Sequence, residues 1–285
     1  MTDSEKDRAR YAVLFFLTVR QVLRSPLSGV RVKFLQKARR KFTLTPVSCV
    51  NHQPDFINTM HATALLHLLQ LASPSLPIGA YSYSQGLESA IDKGWVKDPE
   101  SARNWICDHL RQVVTLFEAP VLWRLLQAFE SRDGAAVERW TERFIAARDT
   151  AEFRAETIQM GYSLGKLALE LQIGDAALLA ILQAQPELPL PTAYAYAAVA
   201  LQVPHEAALL GMLFSWAENQ VLVCVKSIPL GQVAGQRLLL SLQAELQLAA
   251  ERAQELADHE LSNWAPGLSL LSMQHEEQYS RLYRS

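Results

Sequence analysis

Ala102, Trp105, Ile106, His109, Val113 and Phe117 fall at i, i+3, i+4, i+7, i+11 and i+15. That spacing returns to one face of an α-helix and to no face of a strand. The same stripe recurs through Val137, Trp140 and Phe144, and again through Leu238, Leu239, Leu242, Leu246 and Leu248. Only Val221–Val225 has the composition of a strand, and its place at a helix end reads as a buried helical turn. Two-residue alternation is missing elsewhere, which removes β and βα folds. The pattern predicts an all-α chain: a single multi-helix domain of roughly eight to ten helices with a flexible C-terminal tail.

Punctuation sets the expected boundaries. Asp98-Pro-Glu-Ser starts a helix: the Asp caps, the Pro suits the first helical position and the Glu favours the positive end. Pro120 is expected to open the next helix and Asp133-Gly134 to end it. Thr150 caps a helix to about Ile173-Gly174. Pro186, Pro189 and Pro191 mark a loop, after which Thr192 caps a short Ala/Tyr helix closed by Pro204. Two longer helices follow, broken at Ser227–Gly231, the second ending near Leu256. From Leu261 the periodicity decays at Trp264, Pro266 and Gly267, leaving a polar tail with a few apolar anchors that suits ordering on a partner.

Charge divides the chain near Met60. Residues 1–59 carry 11 Lys/Arg against 4 Asp/Glu, a net of +7, and the remainder carries 16 against 25, a net of −9. A targeting peptide fits poorly, because three acids stand in the first ten residues and no small-residue cleavage pattern follows. The other readings are a nucleic-acid or anionic-surface arm, and an extension outside the fold. The third is favoured. The expected organisation is a basic N-terminal extension over 1–59, an all-helical domain over 60–260 and a partner-binding tail over 261–285. Three cysteines, far apart and in no Cys-x-x-Cys pair, suit a reducing cytoplasm. No uninterrupted apolar run approaches the ~18 residues of a membrane span.

Catalytic patterns fail individually. Gly161-Tyr-Ser-Leu-Gly-Lys-Leu167 has three residues between its glycines and Leu after the lysine, whereas a phosphate loop needs four and a hydroxyl. Its two glycines read as a stripe for close packing. Each His-Glu pair, at His205, His259 and His275, lacks the second His four residues on that a zinc-protease helix requires. No nucleophile sits in a recognisable elbow. The expectation is no catalytic residue, no metal ligand and no cofactor, hence an interaction module.

The most specified segment is Ser73-Pro-Ser-Leu-Pro-Ile-Gly-Ala-Tyr-Ser-Tyr-Ser-Gln-Gly-Leu-Glu88. Pro74 and Pro77 forbid a helix across it, and Gly79 supplies backbone freedom. Read from physics alone it is a rigid helix–helix connector. Its fixed positions Ser73, Ser75, Pro77, Gly79, Tyr81, Tyr83, Ser84, Gly86 and Glu88 resemble the signature of the UreF family of urease accessory proteins. So do Trp216-Ala-Glu-Asn-Gln220, Lys226–Arg237 and the ending His275–Ser285, in the family's order. Tyr283 stands where the family's usual tail has Phe.

The resemblance implies a non-enzymatic urease maturation factor in the cytoplasm. Such a factor bridges UreD/UreH and the GTPase UreG and couples GTP hydrolysis to nickel insertion into apo-urease. It also implies a homodimer within the complex, with no nucleic-acid or membrane partner. Lys226 matches a family lysine implicated in controlling the GTPase; the plain alternative is a C-terminal lysine favoured by the helix dipole. His275, Glu276, Gln278, Tyr279, Arg281, Leu282, Tyr283, Arg284 and Ser285 form the partner-binding tail, with fraying as the plain alternative. Two other function classes stay open: a helical enzyme with a cryptic active site, and a nucleic-acid-binding protein acting through the basic segment.

Overall fold

The computed structural model describes residues 60–284. The basic segment 1–59 and Ser285 lie outside the described residues. Ten continuous helices and one short 3₁₀ turn account for the described fold, and among the described residues there is no strand.

The elements are α1 (Ala62–Leu71), the 3₁₀ turn Ala80–Ser82, α2 (Leu87–Asp92) and α3. Helix α3 runs unbroken through Pro99–His109, a π-helical stretch Leu110–Glu118, and Ala119–Glu130. There follow α4 (Gly134–Ala146), α5 (Ala151–Glu170), α6 (Ala176–Gln183), α7 (Leu190–Ala200), α8 (His205–Ser227), α9 (Gln232–Glu255) and α10 (Pro266–Glu276).

The centre is α7, buried on every side: Tyr194 and Tyr196 are both enclosed, and α5, α3 and α8 pack around it. Alternating alanines at 193, 195, 197 and 198 let those neighbours approach closely. The glycines read as a packing stripe fulfil that role against a loop. A Cβ on Gly161 would stand 2.0 Å from the Leu188 carbonyl oxygen, and one on Gly165 2.5 Å from the Leu188 side chain.

Several boundaries fall as expected. Asp98 forms a capping box with Ser101, and Thr150 accepts from the Phe153 amide at 3.1 Å. Val221–Val225 is helical, inside α8. Others differ. Pro120 opens no new helix, because the π-stretch ahead of it relaxes the ladder that a proline would otherwise break. The Leu116 carbonyl, four residues before Pro120, instead accepts the Ser262 amide at 3.1 Å. Asp133 serves both helices: its amide donates to the Ala128 carbonyl at 2.9 Å, closing α3 beyond the left-handed Arg132, and its side chain caps α4 by accepting from Ala136 at 2.9 Å. Thr192 is interior to α7 and bonds Thr141 at 2.8 Å, the helix having begun at Leu190 with Pro191 in its first turn. Pro266 likewise stands in the first turn of α10, a helix that the decaying periodicity hid.

One described helix, α8, is long and apolar enough to cross a membrane, and 56% of its apolar stretch is buried within the fold. That burial identifies it as a core helix.

Candidate functional site

The signature loop is stiff for reasons that begin in its backbone. Gly79 and Gly86 hold φ of 78° and 79°, and Gln85 holds the left-handed φ of 55° that a side chain disfavours. Gln85 is kept there by both ends of its amide. It donates to Glu156 at 2.6 Å and accepts from the Trp216 indole at 2.8 Å. The Ser73 and Ser75 hydroxyls bond each other at 2.8 Å, and Pro77 is exposed between them and Gly79.

The Trp216–Gln220 motif is the loop's socket. Besides Trp216, Glu218 accepts the Tyr81 hydroxyl at 2.5 Å, Asn219 donates to the Tyr83 carbonyl at 2.8 Å, and Gln220 donates to the Ser84 carbonyl at 3.4 Å. Four residues of one α8 turn thus satisfy the loop's polar groups, which no secondary structure would otherwise pair. Tyr83 and Ser84 are buried as a result, and burial followed by the Glu218 bond holds the Tyr81 hydroxyl well above its ordinary range.

The last loop residue, Glu88, is buried in the first turn of α2 and binds the C-terminal tail. Its carboxylate accepts the Leu282 amide at 2.7 Å and the Tyr283 amide at 3.1 Å. It also faces His275 Nε2 at 3.0 Å, while His275 Nδ1 faces Glu152 at 2.9 Å. Arg281 approaches the same Glu152 oxygen at 3.5 Å. The chain then continues past Tyr283, where the Arg284 amide donates to the Ser82 carbonyl at 2.8 Å. Gln278 accepts from Ser89 at 3.3 Å.

The tail therefore has two kinds of residue. His275 and Tyr283 are enclosed, whereas Glu276, Tyr279, Arg281, Leu282 and Arg284 face solvent. Tyr279 is fully exposed and Leu282 is 72% exposed. Lys226, exposed near the end of α8, holds its ammonium 5.7 Å from the Tyr283 ring centroid, within cation–π reach. Burial, then the Glu88 charge, pushes the Tyr283 hydroxyl up to about 12, and that hydroxyl has no hydrogen-bond partner.

Loop, Lys226 and tail, separate in sequence, thus meet on one face. Sequence reasoning did not single out Gln85, Glu152, Glu156 or the socket residues Glu218, Asn219 and Gln220. For the socket the signal was present, since Trp216–Gln220 was already recognised as a family block.

The cavity beneath the loop, about 110 Å³, is mostly apolar, and Arg148 and Glu118 at its wall pair with each other at 2.5 Å. Cys107 and Cys224 are buried free thiols raised by burial, Cys224 to about 12, which keeps them protonated and unreactive. Burial lowers His109 to about 4, so its ring is neutral at physiological pH. Among the described residues no group of three His, Cys, Asp or Glu side chains is placed to hold a metal ion.

Comparison with known proteins agrees with the motifs. The UreF family model matches residues 96–243. The chain is 81% identical over 226 residues to the urease accessory protein UreF of Janthinobacterium sp. (strain Marseille), covering 79% of this chain and all of that protein. It is 65% identical to UreF of Nitrosospira multiformis and 49% identical to UreF of Azoarcus sp., covering 78% of this chain and 98% and 95% of theirs. This chain belongs to the UreF family. Its role lies in urease maturation, together with other components of that process. In the fold, the Ser73–Glu88 loop and the ending from His275 to Arg284 are the two halves of one structural unit, joined through Glu88.

Proposed function

We propose that this chain is a non-enzymatic adaptor that bridges a UreD/UreH-like protein and a UreG-like GTPase, as a homodimer within the complex, and couples GTP hydrolysis to nickel insertion into apo-urease. The observation that carries this reading is the convergence of three family blocks on one face, with Lys226 beside the Tyr283 ring. An adaptor changes a GTPase only by contacting its conformations unequally. An exposed ammonium beside a docked tail is a contact of that kind, placed where a partner on the tail also feels it. Tyr279 and Leu282 offer the apolar anchors and Arg281 and Arg284 the charged donors that binding hot spots use.

The domain organisation follows the same logic. The matched length of 226 residues equals the span from Met60 to Ser285, which supports residues 1–59 being an extension outside the helical domain. A chain starting at Met60 should melt as cooperatively as the full chain; loss of cooperativity would make the extension part of the core.

The deciding experiment is reconstitution of the partner proteins with a Lys226→Ala variant. The expected result is an unchanged fold with altered GTP hydrolysis or nickel loading. Wild-type rates in the assembled complex would overturn the assignment of Lys226. Failure of the wild-type chain to capture either partner would overturn the adaptor reading itself.

A further inference from the structure

His275 is fully enclosed, with both ring nitrogens facing carboxylates, Glu88 at 3.0 Å and Glu152 at 2.9 Å. The other charged groups near it are Arg281 from the tail, 3.5 Å from Glu152, and Glu276 beside it on α10. A neutral imidazole has one N–H and one lone pair. It can donate to one carboxylate only, and its lone pair would then face the negative oxygen of the other. Two hydrogen bonds across this chain need two protons among the three groups: both on the ring, or one on the ring and one on a carboxyl. Glu88 also accepts two backbone N–H groups from the tail, so its oxygens are already engaged as acceptors. Burial raises the Glu152 carboxyl above the ordinary range, with the His275 bond as the largest opposing influence.

We infer that docking of the C-terminal tail is proton-linked: the docked tail requires the second proton in the Glu88–His275–Glu152 chain, and loss of that proton releases residues 277–284. The coupling is direct, because the Glu88 oxygen that meets His275 also receives the Tyr283 amide. When the tail leaves, water reaches the three groups and they revert toward ordinary behaviour, holding one proton fewer at neutral pH. The docked state therefore binds more protons than the released state. Its stabilisation is complete at low pH and is lost as pH rises through the docked value. Released, the tail uncovers Tyr283 and frees Lys226 from the ring it faces, so a rise in pH remodels the whole face.

The test uses hydrogen exchange of the isolated full-length chain, read by mass spectrometry over residues 277–284 and corrected for the intrinsic pH dependence of exchange. Protection at Leu282, Tyr283 and Arg284 should fall about tenfold or more between about pH 6 and about pH 9. Glu152→Gln supplies the missing donor permanently, since both carboxylate oxygens lie within hydrogen-bond reach of Nδ1, at 2.9 and 3.1 Å, and the amide nitrogen can take either place. This variant should keep the tail protected at the high end of the range. His275→Gln should give protection that no longer varies with pH. Flat protection in the wild-type chain would overturn the inference, and so would a Glu152→Gln chain that loses protection as the wild type does. If His275→Gln fails to fold, the Glu152→Gln comparison decides alone.

Discussion

The signature loop and the C-terminal tail occupy one site and are held there by opposite means. The loop carries much of its own conformation, in Pro74, Pro77 and the left-handed glycines Gly79 and Gly86, and α8 then fills its hydrogen bonds. The tail carries almost none. Between Glu276 and Arg284 it has no proline and no glycine, and it is placed by contacts with distant residues: Glu88, the Ser82 carbonyl, Ser89, Glu152 and the pocket of the Tyr283 ring. A segment fixed by its own backbone stays put when a neighbour is lost, whereas one fixed by remote capture leaves as a unit. That suits a socket and a movable element.

Glu88→Ala should show the largest effect, because it strips the tail of its receptor and leaves two amides and a ring nitrogen without partners. We expect a loss of about 3 kcal/mol or more in denaturant unfolding, with the tail becoming accessible to protease. A tail that stays protected would show the Tyr283 ring to be the true anchor. Gly161→Ala tests a part of the fold remote from the tail. Its Cβ meets backbone at 2.0 Å, so the 188–189 loop must shift, at a cost of about 1–3 kcal/mol. Tail protection should be unaffected. Asn219→Ala removes one bond to the Tyr83 carbonyl and should cost about 1.5 kcal/mol, with the loop conformation kept by the remaining socket contacts. If the loop melts, its stiffness is borrowed from α8 and the contrast with the tail collapses. Tyr283→Phe deletes a buried hydroxyl that has no partner and keeps the ring. Stability should be unchanged or higher by up to about 1 kcal/mol, and tail docking tighter. Lys226→Ala should change stability least, within about 0.5 kcal/mol, since the ammonium is exposed. A larger loss would mean that its contact with the Tyr283 ring helps hold the tail.

What was legible in the sequence was local. The α3 stripe, the Asp98 and Thr150 caps and the rigid connector all follow from spacing, capping and proline chemistry within a few residues. What was illegible depended on distance. His275 meets Glu152 and Glu88 across 123 and 187 residues, and no short-range pattern encodes that meeting. Helix α10 was hidden because Pro266-Gly267 reads as a breaker, although a proline in a first turn lacks only an N–H that would have no helical partner anyway. The tail's burial splits residue by residue: His275 and Tyr283 are enclosed while Tyr279 and Leu282 are exposed, and composition cannot say which anchor finds a pocket.

The π-stretch Leu110–Glu118 also carries a constraint on the history of the chain. Each residue in a helix advances the helix by about 100°, so a deletion there would swing Ala119–Glu130 around its axis. Val121, Leu122, Leu125, Leu126 and Phe129, now enclosed, would turn toward solvent together. The Leu116 carbonyl would also lose register with the Ser262 amide, loosening the strand of chain that delivers α10 to the site. Insertions and deletions among relatives should therefore collect in connectors such as residues 184–187 and avoid residues 110–118. The length of this helix would then be inherited as strictly as its sequence.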